Sequence, residues 1–540
     1  MAKIKNTIMK NLIFTLLLAI STSLFAQQKG FVNPIIPGGH PDPSICQPNE
    51  NGNSQSLQGD YNENPAKNVL LIIVDDMRPE INAWGVDYIK TPNIDKLVNN
   101  GVSFTSAYCQ YANCAPSRKS FLTGLSPETT DHKDAFNVYD KVMHHTTMPG
   151  FFRENDYYTG SIGKVYHSAD DDRDSWNFYY DVGDPQKPEE VPWESYGLKA
   201  NQNISNNEIR PAVECEDLPL ENYNDYNLCQ VALKQLQENK DKKFFLAVGF
   251  RKPHLPFAAP KKYWDLYKRD NIKLSQYRNA PANGDTIVYQ WSELASYNYF
   301  ATNYKTRNYR NKYVSEEKSK ELQHGYYACV SYIDDLVGML LNKLKELKID
   351  DNTIVVLLAD HGYHLGDQQI WGKHTGYDLA TRVPLIVYDP SENHDKKICT
   401  KFVELLDIYP TLVELCGLPQ PKRYDGKSFA SLLENTNAEG FDAAFNQYQS
   451  FQIDPSIKDL MAYAIHTKDY NYIEWQDLKN NRKVVERELY QVTKGRVEQE
   501  NIASHPDQRN IIKELSQRIE EKFIPYRKAY DTYKSYQLKN

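Results

Sequence analysis

Several short segments of this chain are apolar without interruption. Val69-Leu70-Leu71-Ile72-Ile73-Val74, Phe244-Phe245-Leu246-Ala247-Val248-Gly249, Thr353-Ile354-Val355-Val356-Leu357-Leu358-Ala359 and Val383-Pro384-Leu385-Ile386-Val387 lack the polar alternation of a half-exposed strand. Such runs are expected of strands covered on both faces, as in a parallel sheet. Between them apolar positions recur at helical spacing, most clearly from about Ser319 to Lys348. Alternating strands and helices predict an α/β fold: a large, mainly parallel sheet sandwiched by helices, with ligands gathering beyond the carboxyl ends of the strands. Two of the runs end in candidate chemistry, Asp75-Asp76 and Asp360-His361. After about Gly440 the texture changes to Tyr-rich strand candidates such as Tyr470-Asn471-Tyr472-Ile473-Glu474-Trp475, then a charged helix from about Pro506 to Tyr526. A main domain over 68–440 and a smaller α+β subdomain over 441–540 are expected.

The N-terminus reads differently. Lys3, Lys5 and Lys10 precede the apolar run Leu12–Ile20 and then Ser23-Leu24-Phe25-Ala26, which predicts a secretory signal over residues 1–26. The run is shorter than the roughly 18–20 residues of a membrane span, and no later stretch is apolar enough to be one. Residues 27–67, rich in Pro, Gly, Asn, Ser and Gln, read as a linker.

Charge and cysteine content narrow the chemistry. The 540 residues carry 63 Lys and Arg against 71 Asp and Glu, a net charge of -8. Nucleic acid is therefore not an expected partner, and an anionic substrate must meet local positive charge. The eight cysteines include no CxxC pair of the zinc type. Cys215 with Cys229, or Cys109 with Cys329, could form disulfides in an exported protein; buried free thiols are the alternative.

The two acidic strand ends could together hold one divalent cation, with oxygen-rich ligation suiting calcium or magnesium better than zinc. The decisive segment is Cys114-Ala115-Pro116-Ser117-Arg118, followed by Leu122-Thr123-Gly124. It resembles the sulfatase signature C-x-P-S-R-x-x-x-L-T-G, whose cysteine is oxidised after synthesis to formylglycine (3-oxoalanine). An aldehyde hydrates to a geminal diol; one hydroxyl attacks sulfur and the other later expels sulfate as the aldehyde re-forms. The resemblance runs from about Asn68 to near the C-terminus and is nearest to the iduronate-2-sulfatase branch. It is carried by Asp75-Asp76-Met77-Arg78-Pro79, Ser161-Ile162-Gly163-Lys164-Val165-Tyr166-His167, Gly249-Phe250-Arg251-Lys252-Pro253-His254, Ala359-Asp360-His361-Gly362 and Glu488-Leu489-Tyr490.

This resemblance implies an alkaline phosphatase-like fold and one Ca2+, bound by Asp75, Asp76, the modified Cys114, Asp360 and His361. It implies that Arg118 and His167 orient the formylglycine, and that Lys164, His254 and Lys373 surround the sulfate, with His254 the proton donor to the leaving alcohol. His374 stands next to Lys373 and could compete for its role, while His144-His145 matches no ligand and reads as structural. A formylglycine-generating maturation enzyme and a sulfated oligosaccharide or polysaccharide are the implied partners.

Export to the periplasm or cell surface of a bacterium is expected. The substrate expectation is a 2-O-sulfate on a terminal uronic acid or xylose of an algal polysaccharide such as ulvan, with Ser126–Asp131 and residues 170–198 as specificity loops. Alternatives are a glycosaminoglycan iduronate-2-sulfatase, a phosphonate or phosphate monoester hydrolase, and an inactive glycan-binding homologue. Asn33–Ile45 also resembles the opening of propeller β-xylosidases, but about forty residues are too few for one propeller blade. That stretch reads as a remnant or docking tail.

Overall fold

The computed structural model describes residues 67–130, 146–167, 172–181, 196–202, 210–284, 287, 293–297, 314–392, 397–450, 459–492 and 495–537, all within one compact unit that begins at Asn64. The signal segment, the linker as far as residue 66 with its xylosidase-like stretch, and His144-His145 lie outside the described residues.

The strands of the first half are β1 (Asn68–Val74), β2 (Val102–Tyr108), β3 (Tyr158–Gly163), β4 (Phe178–Tyr180), β5 (Val213–Glu216), β6 (Phe244–Phe250) and β7 (Phe257–Pro260). They are followed by β8 (Thr353–Ala359), β9 (His364–Leu365), β10 (Trp371–Gly372), β11 (Arg382–Tyr388) and β12 (Lys397–Glu404). Eight of these form one sheet in the order β12-β2-β11-β8-β1-β6-β3-β4. The β1, β6 and β8 runs are buried along their whole length and pair in parallel, as continuous apolar segments require.

The fourth apolar run, β11, departs from the parallel pattern and lies antiparallel to both β2 and β8. Its Pro384 is tolerated in a central strand because the register with β2 shifts between Val383 and Leu385, leaving the proline where no ladder hydrogen bond is needed. The predicted amphipathic helix is Glu316–Leu347, started by Ser315, whose side chain accepts from Lys318 N, and it packs its buried face on the sheet's core.

Strands β13 (Ala443–Gln449), β14 (Leu460–Thr467), β15 (Tyr470–Asp477) and β16 (Lys483–Gln491) form a separate antiparallel sheet. Alternation sorts its side chains: Ala462, Ala464, Ile473 and Trp475 meet Tyr111 and Tyr377, whereas Met461, Tyr463, Ile465 and Tyr472 meet Leu515, Ile519 and Phe523 of the last helix. That helix, Arg509–Gln537, runs past the expected end at Tyr526 and through Pro525. Arg527, beyond the proline, is anchored by a hydrogen bond from Nε to Glu128 Oε1 at 3.1 Å.

The seven cysteines among the described residues are free thiols, so neither candidate disulfide forms. Cys215 is exposed while Cys229 is buried, its Sγ 3.7 Å from Leu336 O. Among the described residues no helix is long and apolar enough to cross a membrane.

Candidate active site

The carboxyl ends of β1, β3, β6 and β8 converge on one buried cluster. Asp75 N donates to Phe250 O and Asp360 N to Val74 O, each at 3.2 Å, so the sheet ladder itself holds the acidic ends of β1 and β8 side by side. The chain then turns at Asp76, which takes a left-handed φ of 62°. Tyr326 of the long helix fixes that turn by donating to Asp76 O at 2.7 Å and accepting from Arg78 N at 2.9 Å. Lys164 follows β3, and its N–H bonds Gly249 O at 2.9 Å. A Cβ on Gly249 would come within 2.0 Å of Lys164 O, which is why the two strands can approach here only with glycine.

Cys114 opens the fully buried helix Cys114–Thr123. Ser117 and Arg118, three and four residues on, share its face. Ser117 Oγ donates to Asp360 O at 2.5 Å and Arg118 Nε to Asp360 Oδ2 at 2.8 Å, while Arg118 Nη1 reaches Lys164 O. These contacts pin the helix start against the ends of β8 and β3.

Around Cys114 Sγ stand Asp75 Oδ1 at 3.4 Å, His361 Nε2 at 3.3 Å and Lys373 Nζ at 3.4 Å. Lys164 Nζ donates to Asp75 Oδ2, and Lys373 Nζ to Asp76 Oδ1 at 2.8 Å. Lys373, not its neighbour, faces the cysteine; His374 Nε2 instead accepts from Asn113 Nδ2 at 3.2 Å. His254 sits in the loop after β6, where Lys252 Nζ holds the backbone by donating to His254 O at 2.9 Å and Pro256 O at 2.6 Å. Its Nδ1 faces Leu255 O at 2.6 Å, leaving Nε2 toward the cluster. His167 is exposed and within electrostatic reach of Lys164, Asp75, Arg118 and Lys373.

Charge in this cluster is far from its solution behaviour. Burial alone would push Asp75 up, but Lys164, His254, Arg118 and Lys373 hold its carboxyl well below the usual range. Burial wins at Asp76, which is raised despite Lys373. Burial and the Asp75 charge push the Cys114 thiol up to about 12, against the pull of Lys164 and Lys373. An unmodified Cys114 is thus a protonated thiol at neutral pH and a weak nucleophile.

The donor set fits a cation in part. Ligand atoms of Asp75, Asp76, Cys114 and His361 lie within 4.8 Å of one another, and the buried Asp76 Oδ2 has no hydrogen-bond partner. Asp360 stands behind them: its Oδ1 accepts from Asp76 N at 3.2 Å and His361 N at 3.0 Å, and its Oδ2 from Arg118. Two carboxylates suit a hard divalent ion, an imidazole is a softer ligand than such an ion usually takes, and a thiol sulfur fits it worst; an oxygen at that position would make the set oxygen-rich.

One residue of the cluster has no sequence signal. Glu293 Oε1 lies 2.8 Å from Lys373 Nζ and 3.7 Å from His254 Nε2, and its buried Oε2 is unpartnered. Conversely, the described part of the Ser126–Asp131 segment is built into the fold. Asp425 Oδ2 accepts from Ser126 N and Thr129 Oγ1, at 2.8 and 2.6 Å, and Glu128 is buried among arginines.

A family model described as Sulfatase matches residues 67–418, and a second, described as N-sulphoglucosamine sulphohydrolase, C-terminal, matches residues 366–524. The chain belongs to the sulfatase family. An iduronate 2-sulfatase from Mus musculus is 32% identical over 511 residues, spanning 81% of this sulfatase and 91% of its own length. Two solved structures share the fold at 20% identity and a TM-score of 0.67. One, the phosphonate monoester hydrolase of Agrobacterium radiobacter, covers 85% of this chain and 96% of its own. The other, in complex with its substrate D-glucosamine-2-N,6-O-disulfate, covers 86% and 98%. This sulfatase is a sulfuric ester hydrolase.

Proposed function

We propose that this sulfatase is exported by a bacterium and removes a 2-O-sulfate from a terminal uronic acid or xylose of a sulfated polysaccharide, an algal one such as ulvan, after a maturation enzyme converts Cys114 to formylglycine. The observation that carries the reading is the convergence of Asp75, His361 and Lys373 on Cys114 Sγ at 3.3–3.4 Å in a buried cluster. The relative named iduronate 2-sulfatase, matched over most of its length, supports the sugar class and position.

The formylglycine hydroxyl would supply the nucleophile, and a cation such as Ca2+, held by Asp75, Asp76 and His361 with Asp360 behind them, would polarise a sulfate oxygen. The protein's own residues do the rest. Lys164 and Lys373 neutralise the ester's negative charge from buried positions, where such contacts are stronger than in water. Arg118 is held rigidly by Asp360 and Lys164 O, so it fixes residue 114 without rearranging. Burial, then Lys373, pushes His254 well below its ordinary pKa; an arriving anionic ester opposes that and favours the protonated ring that donates from Nε2 to the leaving oxygen.

The test is a desulfation assay on defined sulfated oligosaccharides, with protein shown by mass to carry formylglycine at Cys114. Sulfate release from a terminal 2-sulfated uronate or xylose is the expected result. Cleavage of phosphate or phosphonate esters with no sulfate released would transfer the reading to a phosphoester hydrolase, the class of one fold neighbour.

A further inference from the structure

A cleft of about 890 Å³ lies apart from this chemistry: its lining includes Arg78, Tyr88, Tyr267, Gln323 and Tyr327 but not Cys114, Lys164, His254 or Lys373. Tyr326, hydrogen-bonded to both Asp76 O and Arg78 N, stands between the two places.

The wall of this cleft is aromatic. The Tyr88 and Tyr327 rings lie 5.4 Å apart and the Tyr267 and Tyr327 rings 5.8 Å apart, with Tyr88 46% exposed. Its floor is polar and incomplete. Arg78 is only 8% exposed; its Nη1 binds Asp367 Oδ2 at 2.8 Å and its Nη2 lies 2.7 Å from Glu80 Oε1, yet its buried Nε has no partner. Gln323, 3% exposed, donates Nε2 to Leu365 O at 3.0 Å, and its Oε1 is likewise unpartnered. The exposed Lys268 and Lys273 also line the cleft.

We infer that this cleft is a second saccharide-binding site, one that holds a sulfated or carboxylated sugar of the polymer away from the ester being cleaved. Sugar hydroxyls both donate and accept, which suits a lining that carries guanidinium, amide, hydroxyl and ammonium groups. The apolar faces of a pyranose suit a tyrosine wall, and the lysines meet its anionic groups. The inference rests on the carbohydrate reading of the active site, but it can fail separately from it.

The experiment is a calorimetric titration of the full chain carrying Cys114→Ala, which cannot turn over, with a heparin-derived hexasaccharide as the anionic probe. Binding is expected to survive Lys373→Ala and to weaken about tenfold in Kd in Tyr88→Ala/Lys273→Glu. Binding unchanged in Tyr88→Ala/Lys273→Glu, binding lost in Lys373→Ala, or no binding at all would overturn the inference. In the mature enzyme the Tyr88→Ala/Lys273→Glu pair is expected to leave turnover of a small aryl sulfate unchanged. Failure of the wild-type enzyme to release sulfate from any saccharide would instead refute the carbohydrate reading, while the titration still decides the cleft.

Discussion

Asp76 and Glu128 are both buried carboxylates, and they are housed in opposite ways. Glu128 Oε1 receives Arg482 Nη2 at 2.6 Å and Arg527 Nε at 3.1 Å, and its Oε2 receives Gln447 Nε2 at 3.1 Å and Tyr463 OH at 3.0 Å. Asp76 has Lys373 on Oδ1 and nothing on Oδ2. A carboxylate with every lone pair answered ties three parts of the chain together: the Pro127–Thr130 turn, the last sheet and the last helix. A carboxylate left half answered at a strand end is an acceptor awaiting a ligand, and its burial cost is tolerated because a site needs it.

The largest expected effects separate the two. Cys114→Ser is expected to lower kcat by at least about a thousandfold, because a hydroxymethyl group cannot supply the diol of a hydrated aldehyde, with the melting temperature unchanged. Turnover at the wild-type rate would remove Cys114 as the nucleophile's precursor. Glu128→Ala is expected to do the reverse: it strands two arginines and costs about 3–5 kcal/mol of stability in denaturant unfolding. The fraction that folds should keep its kcat; a loss of turnover without a loss of stability would place Glu128 in the site after all.

The contrast also explains what could be read from sequence. The β1 and β8 runs were legible because strands buried on both faces leave an unbroken apolar signature, and the acids at their ends followed from that. Cys114 and Arg118 were legible because the segment that carries them resembles the sulfatase signature. Glu293 was not: it reaches Lys373 and His254 from a stretch with no periodicity, and only the folded chain brings it there. The antiparallel direction of β11 was hidden too, since an apolar run has no arrow. Glu128 looked like a loop residue because its arginines lie more than 350 positions away in the chain.

A third carboxylate falls between the first two and yields a prediction in pH. Glu498 is buried, and its donors, Asp378 N, Asn471 Nδ2 and Gln368 Nε2, are all neutral. Burial and then the Asp378 charge raise it to about 7, despite those hydrogen bonds. The folded state therefore holds this proton more tightly than the unfolded chain. The resulting stability is fully present below the unfolded value near 4.5 and is lost as pH rises through about 7, about 3 kcal/mol in all. Glu498→Gln is expected to flatten that part of the stability profile and to exceed wild type in stability at pH 8. An unchanged slope in the variant would assign the titration elsewhere.

The smallest effect is the sharpest test of where the site ends. Glu293 shares one oxygen between Lys373 and His254, so Glu293→Gln removes a negative charge beside the proton donor while leaving Lys373 its bond to Asp76. Stability should change little, since a buried charge is removed together with its pairing to Lys373. The catalytic consequence depends on the leaving group. A sugar alcohol needs a proton as the ester bond breaks, and its kcat is expected to fall about tenfold; a nitrophenyl sulfate leaves as a stable anion and should lose little. Equal losses on the two substrates would mean that Glu293 only positions Lys373, and no loss on either would place it with Glu128, among the residues that hold the fold and not the chemistry.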